Sequence, residues 1–187
     1  MSKRRRSVLL WVAVTSVLGA IVHYVVVLAV PYAIGHHLTS LAESNTIVHA
    51  EKPSAGNERV RRSGPDLVYS ACPFDLSDGP LHITAPVPEA YMSVSFYAIN
   101  TDNFYVKNDL QVDGDFDIVL IGPDMPAQAF AGIEVVRSPS MTGGILFRYF
   151  AGNEEQIQEI ESIRRRITIR PCGIESDDRG RQNKSTH

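Results

Sequence analysis

The sequence predicts a mainly β domain, a β-sandwich or barrel-like fold with one C-terminal amphipathic helix, preceded by a single transmembrane helix. Three observations predict it. Residues 8–34 form an apolar run without Asp, Glu, Lys or Arg. From Asp66 onward, short apolar runs alternate with turns rich in Gly, Pro and Asp. Near the end, Ile157, Ile160, Ile163 and Ile167 repeat at three- and four-residue intervals.

The apolar run exceeds the roughly 20 residues that a helix needs to cross a bilayer. Lys3-Arg4-Arg5-Arg6 precedes it, and such a basic cluster marks the cytoplasmic side of a span. The expected placement is a single pass through the inner (cytoplasmic) membrane, N-terminus inside, with everything after Gly35 in the periplasm. The competing reading is a cleaved signal peptide, whose apolar core spans about 7–15 residues before a small-x-small site. This run is longer, and Ser40-Leu41-Ala42 is a weak cleavage site beyond its end. His23 reads as a neutral imidazole facing another helix. Ser16 with Ala20, and Thr15 with Gly19, give two small-xxx-small spacings of the kind that let helices approach. The expected organisation is a cytoplasmic basic segment at 1–7, a signal anchor at 8–34, a juxtamembrane helix extension and linker at 35–61, a β-rich domain at 62–173 and a disordered tail at 174–187. His36-His37 reads as an interfacial pair, because adjacent histidines lack the i, i+4 spacing of helical metal ligands.

The chain has 187 residues and a net charge of -3. The basic start hides a more acidic exported part, so nucleic acid is not expected as a partner: phosphate binding needs clustered Lys and Arg on the folded region. The membrane itself is the first expected partner. There are two cysteines, Cys72 and Cys172, near the two ends of the predicted domain. In an oxidising compartment they are a disulfide candidate. A bridge closing a loop of about 100 residues stabilises by about 4.7 kcal/mol in the chain-entropy account. Two separate buried thiols are the alternative.

Strands are read at residues 67–72, 81–85, 91–99, 116–121, 133–137 and 144–150, and a last extended piece at Thr168 to Pro171 reaches Cys172. The second is entered through the turn tetrad Ser77-Asp78-Gly79-Pro80. The third alternates cleanly, with Met92, Val94, Phe96 and Ala98 on one face against Tyr91, Ser93, Ser95, Tyr97 and Ile99. Short strands spaced in this way predict a sandwich or barrel. In the helix that follows, Asn153 can cap, Gln156 lies three residues on, and Glu154 and Glu155 suit the first turn. Arg164, Arg165 and Arg166 read as a solvated helix end.

No nucleophile elbow, His-Glu-x-x-His or phosphate-cradling glycine loop is present. No metal site and no cofactor are expected, and His82 is the one histidine read inside the domain. What remains is a set of polar and aromatic side chains near strand ends, where binding groups collect: Asp66, Tyr69, Tyr97, Asn100 and Asn103. Ordinary turn chemistry is the competing account of these residues.

The same residues carry a resemblance. Residues 62–70 read Arg-Ser-Gly-Pro-Asp-Leu-Val-Tyr-Ser, followed by Asp75-Leu76-Ser77-Asp78-Gly79-Pro80. Tyr91-Met92-Ser93-Val94-Ser95-Phe96-Tyr97 then leads to Asn100-Thr101-Asp102-Asn103-Phe104. Together with Ile121-Gly122-Pro123, Arg137-Ser138-Pro139-Ser140 and Leu146-Phe147-Arg148, they resemble successive blocks of the family called domain of unknown function 1254. The chain departs from the pattern where Leu67 replaces a Thr and where the Asn of the first block is missing. The resemblance implies a β-rich module, often accompanied by a second family, domain of unknown function 1214, on the same chain or on a separate one. It implies no activity.

The function expected from this reading is an uncharacterised single-pass protein whose extracytoplasmic domain is an envelope interaction module that docks a partner protein, with a member of the 1214 family as the candidate. A periplasmic small-molecule or glycan binding module is the alternative. A hydrolase pairing Asp66 with a neighbouring acid is the third reading.

Overall fold

The computed structural model describes residues 3–50, 66–126 and 132–172. Residues 51–61 of the expected linker and the whole expected tail lie outside these residues. The first element, α1 (Lys3–Thr39), is a 37-residue helix. At 1.5 Å per residue it is about 55 Å long, longer than the ~30 Å hydrocarbon core of a bilayer, and it is apolar enough to cross one. Its side chains are exposed along nearly the whole length, and Gly35 is its one buried residue.

Two sheets follow. The larger has five strands in the order β1 (Val48–His49), β2 (Leu67–Asp75), β8 (Thr142–Phe150), β4 (Met92–Ala98), β5 (Asn103–Asn108). The smaller has four: β7 (Glu134–Arg137), β6 (Phe116–Ile121), β3 (Leu81–Ala85), β9 (Thr168–Pro171). All pairings are antiparallel except β6 with β7. Neither sheet closes on itself, so the architecture is a sandwich and not a barrel.

Period-two burial explains why the sheets face each other. Val68, Cys72, Phe74, Met92, Val94, Phe96, Ile145, Phe147 and Tyr149 turn inward from the larger sheet. Leu81, Ile83, Ala85, Phe116, Ile118 and Leu120 meet them from the smaller. Each large apolar side chain fully buried in this layer stabilises by about 1.5–3 kcal/mol. Phe96 stacks tilted on Tyr105, with ring centroids 4.9 Å apart, a geometry that adds dispersion and quadrupole attraction to burial.

The final helix, α2 (Glu154–Arg164), starts as its sequence dictates. Asn153 Oδ1 accepts from the Gln156 backbone N–H at 2.9 Å, and Gln156 Oε1 accepts from the Gly152 N–H at 2.9 Å. Ile160 and Ile163 pack into the core, and Ile167 joins them after the helix has ended. The helix packs at the β1–β2 edge, where it is held by a side chain read from sequence as solvated. Arg164 is buried, and its Nη1 donates to the carbonyls of Ala50 at 2.8 Å and Tyr69 at 3.1 Å. It also pairs with Glu161. Arg165 and Arg166 are exposed.

The structure adds two strands to the sequence reading. β5 forms the far edge of the larger sheet, with Asn103 at its start and not in a loop. β1 begins the sandwich well before Arg62, inside the stretch read as a linker. His49 therefore belongs to the sheet, and His82 is not the domain's only histidine.

The sandwich is fastened to the end of α1. A Cβ placed on Gly35 would lie 1.7 Å from the carbonyl oxygen of Ile99, in the turn between β4 and β5, so only glycine permits this approach. Asn45, with a left-handed φ of 60°, then acts as an extra rung beside β2. Its N–H donates to the Pro73 carbonyl at 2.7 Å, its Nδ2 to the Asp75 carbonyl at 3.0 Å, and its Oδ1 accepts from the Asp75 N–H at 2.9 Å.

Candidate functional site

The outward face of the five-stranded sheet carries polar groups without protein partners around one charged side chain. Strand register sets Tyr69, Arg148, Ser93 and Asn108 in one line across β2, β8, β4 and β5. The next outward line toward the α1 end is Ala71, Leu146, Ser95 and Val106, and the one after it is Pro73, Gly144, Tyr97 and Asn103. Arg148 is the one charged side chain in these three lines.

Arg148 lies half-buried over β4. Its Nη1 donates to Ser95 Oγ at 3.1 Å and its Nη2 to the Tyr97 hydroxyl at 2.7 Å. Among the described residues the ion pairs are His82–Asp117, Lys107–Glu134 and Arg164–Glu161. Arg148 thus has neutral acceptors only, although a guanidinium offers five N–H donors. Beside it, Ser93 Oγ and Asn108 Oδ1 are buried with no hydrogen-bond partner. Buried polar atoms are normally satisfied, but the Tyr105 and Tyr149 hydroxyls and Arg164 Nε are orphaned elsewhere in the sandwich too, so the uncompensated cation is what singles out this face. Space is available, since a Cβ on Gly144, directly across from Tyr97, would meet no atom within 4 Å. Exposed Tyr91, Val106 and Phe150 border the area.

Of the residues singled out by sequence, the structure brings Tyr69, Tyr97 and Asn103 onto this face. Asp66 and Asn100 are elsewhere. Asp66 is exposed at the mouth of β2, where its carbonyl accepts from the Ala151 N–H at 2.8 Å. Asn100 lies beyond the opposite end of the face and bonds within its own turn, Nδ2 donating to Asp102 Oδ2 at 2.6 Å. Arg148 escaped the sequence reading as a site residue. Its signal was present: a lone charge at an outward position of a long strand, between Phe147 and Tyr149.

Cys72 and Cys172 are free thiols in the structure, in place of the expected bridge. Cys72 turns into the core from the larger sheet, whereas Cys172 follows β9 of the smaller, its N–H donating to the Pro80 carbonyl at 2.7 Å. Burial pushes the Cys72 thiol up to about 12, so it is protonated and inert at neutral pH.

Two further polar groupings have structural partners. On the outward face of the smaller sheet, His82 Nε2 lies 2.5 Å from Asp117 Oδ1. Beneath α2, His49 Nδ1 lies 2.9 Å from Ser70 Oγ. The His49 imidazole is held below its ordinary range, first by burial and then by the charge of Arg164. Burial raises the nearby Tyr149 phenol, with Arg164 opposing. No cluster of three or more His, Cys, Asp or Glu side chains suited to a metal ion occurs among the described residues.

The family model "Protein of unknown function (DUF1254)" matches residues 44–171. The chain belongs to the DUF1254 family. The match begins at the segment that fastens the sandwich to α1 and ends with β9, so family and fold boundaries coincide. No curated protein matches the chain. Among solved structures, the VPA0106 protein from Vibrio parahaemolyticus is similar at 16% identity with a TM-score of 0.59, covering 75% of this chain and 34% of that one. An uncharacterised protein from Burkholderia cenocepacia matches at 18% identity and a TM-score of 0.44, covering 68% of this chain and 37% of that one. The first likeness bears on the fold. The DUF1254 chain spans about a third of the length of these solved proteins.

Proposed function

We propose that this DUF1254 protein is a single-pass protein of the cytoplasmic membrane whose periplasmic sandwich is an envelope interaction module, docking a partner protein on the outward face of its five-stranded sheet. The observation that carries the reading is Arg148, a half-buried guanidinium with neutral partners only, within three outward lines that hold no other charge. Arginine and aromatic side chains dominate the energetics of protein interfaces, and here Tyr69, Tyr97, Tyr91 and Phe150 surround the arginine. The placement in the membrane is supported by the basic cluster before the apolar run. It is also supported by Trp11 and Tyr32, which stand about 32 Å apart along α1, a spacing that suits aromatic side chains at two bilayer interfaces. The partner expected is a separate protein of the 1214 family.

The open space over Gly144, with Tyr97 beside it, favours a second reading in which the same face takes a small molecule or glycan. A photocrosslinking residue at Val106, compared with one at Asp117 on the outward face of the other sheet, separates the two in native membranes. Docking gives a protein adduct at Val106 and none at Asp117. No adduct at Val106, or the same adducts at both positions, refutes docking on this face. For topology, a periplasmic reporter at the C-terminus should be active and the protein should resist carbonate extraction. A soluble product beginning near Glu43 would show a cleaved signal instead.

A further inference from the structure

We infer that the docked protein presents a carboxylate, an Asp or Glu side chain, to a receptor formed by Arg148 and Tyr97 above Gly144. This inference rests on the docking reading and names the chemistry of its contact.

Charge balance comes first. A single guanidinium among three otherwise neutral lines matches a single negative charge. A phosphate dianion would leave one charge uncompensated in a region where the three outward lines supply no second cation. Geometry agrees, because guanidinium and carboxylate are planar and pair bidentately through parallel N–H···O bonds.

Proton direction is the second argument. Tyr97 and Ser95 already accept from Arg148, at 2.7 Å and 3.1 Å. The Tyr97 hydroxyl therefore keeps its own proton for donation, while Ser95, fully buried, only holds the guanidinium from below. The site offers guanidinium N–H groups and the Tyr97 hydroxyl proton, all donors, which suits an acceptor-only group such as an ionised carboxylate.

The third argument is steric. Gly144 stands directly across from Tyr97, and a Cβ there would meet no atom within 4 Å. Its φ is not in the left-handed region, so the backbone permits a side chain. The missing side chain leaves room beside the Tyr97 ring for a side chain arriving from another molecule. Gly143, its neighbour, is glycine for a different reason: a Cβ there would lie 2.2 Å from the Tyr97 carbonyl oxygen. Packing inside the sandwich accounts for Gly143 and leaves Gly144 unexplained.

The test uses the full chain in native membranes, with the photocrosslinking residue at Val106. The variants are R148K, R148Q, R148E and G144V, each checked for the folded sandwich by protease resistance. Truncating one partner of a buried charge pair is costly, so adduct yield should fall at least about tenfold in R148Q and less in R148K. G144V keeps Arg148 and its two bonds, and should also lose the adduct by filling the space. R148E should abolish the adduct, and replacing one Asp or Glu in the captured segment of the partner by Arg should restore it. The inference is overturned if the adduct persists in R148Q, if the captured segment holds no Asp or Glu, or if no reciprocal replacement rescues R148E. Absence of the adduct with Arg148 intact overturns the docking reading itself, and the two failures are thereby told apart.

Discussion

The pair Gly143 and Gly144 offers a demanding test of the packing account, because identical substitutions at adjacent positions should act in opposite ways. Gly143 turns inward. A Cβ there would sit 2.2 Å from the Tyr97 carbonyl oxygen and 2.6 Å from Phe74 Cζ. The first obstacle is backbone of β4, which is hydrogen-bonded to β8, and the second is a fully buried ring. Neither can swing aside as the end of a flexible side chain can. Overpacking of a close-packed interior costs about 1–3 kcal/mol, and two unyielding neighbours place G143A at the upper end, about 3 kcal/mol. Gly144 turns outward into open space. There Ala reduces the freedom of the unfolded chain and should stabilise by about 0.4–1 kcal/mol. The difference between the two variants is then about 3–4 kcal/mol, or some 12–16 °C at roughly 4 °C per kcal/mol for a domain of this size. The single tryptophan, Trp11, lies in α1, so its fluorescence does not report on the sandwich. Pulse proteolysis of the full chain in detergent micelles across a urea series does. Equal midpoints for the two variants, or a lower midpoint for G144A, would refute the assignment of inward and outward faces.

Three other outcomes follow from single side chains. In the folded chain Cys172 should react with a maleimide and Cys72 should not, while unfolding without reductant should expose two reactive thiols; a mass consistent with a disulfide would contradict the free-thiol arrangement. Because the folded state holds the His49 imidazole below its ordinary range, the unfolded chain takes up the proton first as pH falls. That contribution to stability is fully present above the unfolded value of about 6.5 and is lost as pH drops toward the folded value. H49N should flatten the loss between pH 7 and 5, and an unchanged profile would place the pH sensitivity elsewhere. Asn153→Ala removes the acceptor for the Gln156 N–H and should cost about 1 kcal/mol, whereas Asp66→Ala, at an exposed carboxylate, should stay within about 0.5 kcal/mol; the reverse order of the two midpoints would refute both assignments.

The sandwich was legible where a strand alternates apolar and polar residues or forms an apolar run beside a turn. Residues 91–99 alternate without a fault, although Ser93 and Ser95 are themselves buried, and β8 stood out as an apolar run after Gly143-Gly144, its alternation showing only in its burial. Edges were harder. β1 has only two residues, too few for any period. β5 begins and ends in asparagine, and a register shift opposite Phe96 and Tyr97 breaks its pattern. The helix end was misread for another reason. Arg164 lies four residues after Ile160 and so falls on the apolar face, but only the β1–β2 edge supplies the carbonyls that satisfy it there. The cysteines could not be paired from sequence because partnership depends on which sheet each strand joins. For the candidate site, the aromatic residues were visible as tyrosines at strand ends. Their relation to Arg148 was not, since three separate strands bring Tyr69, Tyr97 and Arg148 together and only register decides which residues become neighbours.

The glycine at position 35 and the asparagine rung at 45 hold the end of α1 against the sandwich at two places. With α1 in a bilayer, the azimuth of the helix and the compass bearing of the Arg148 face become one variable. Whatever grips the helix among the lipids, a neighbour seated on Thr15 and Gly19 for instance, would thereby aim the face toward one quarter of the membrane plane. A single residue inserted between that grip and Gly35 would turn the bearing by about 100°, carrying the receptor round to address a different neighbour on the same surface.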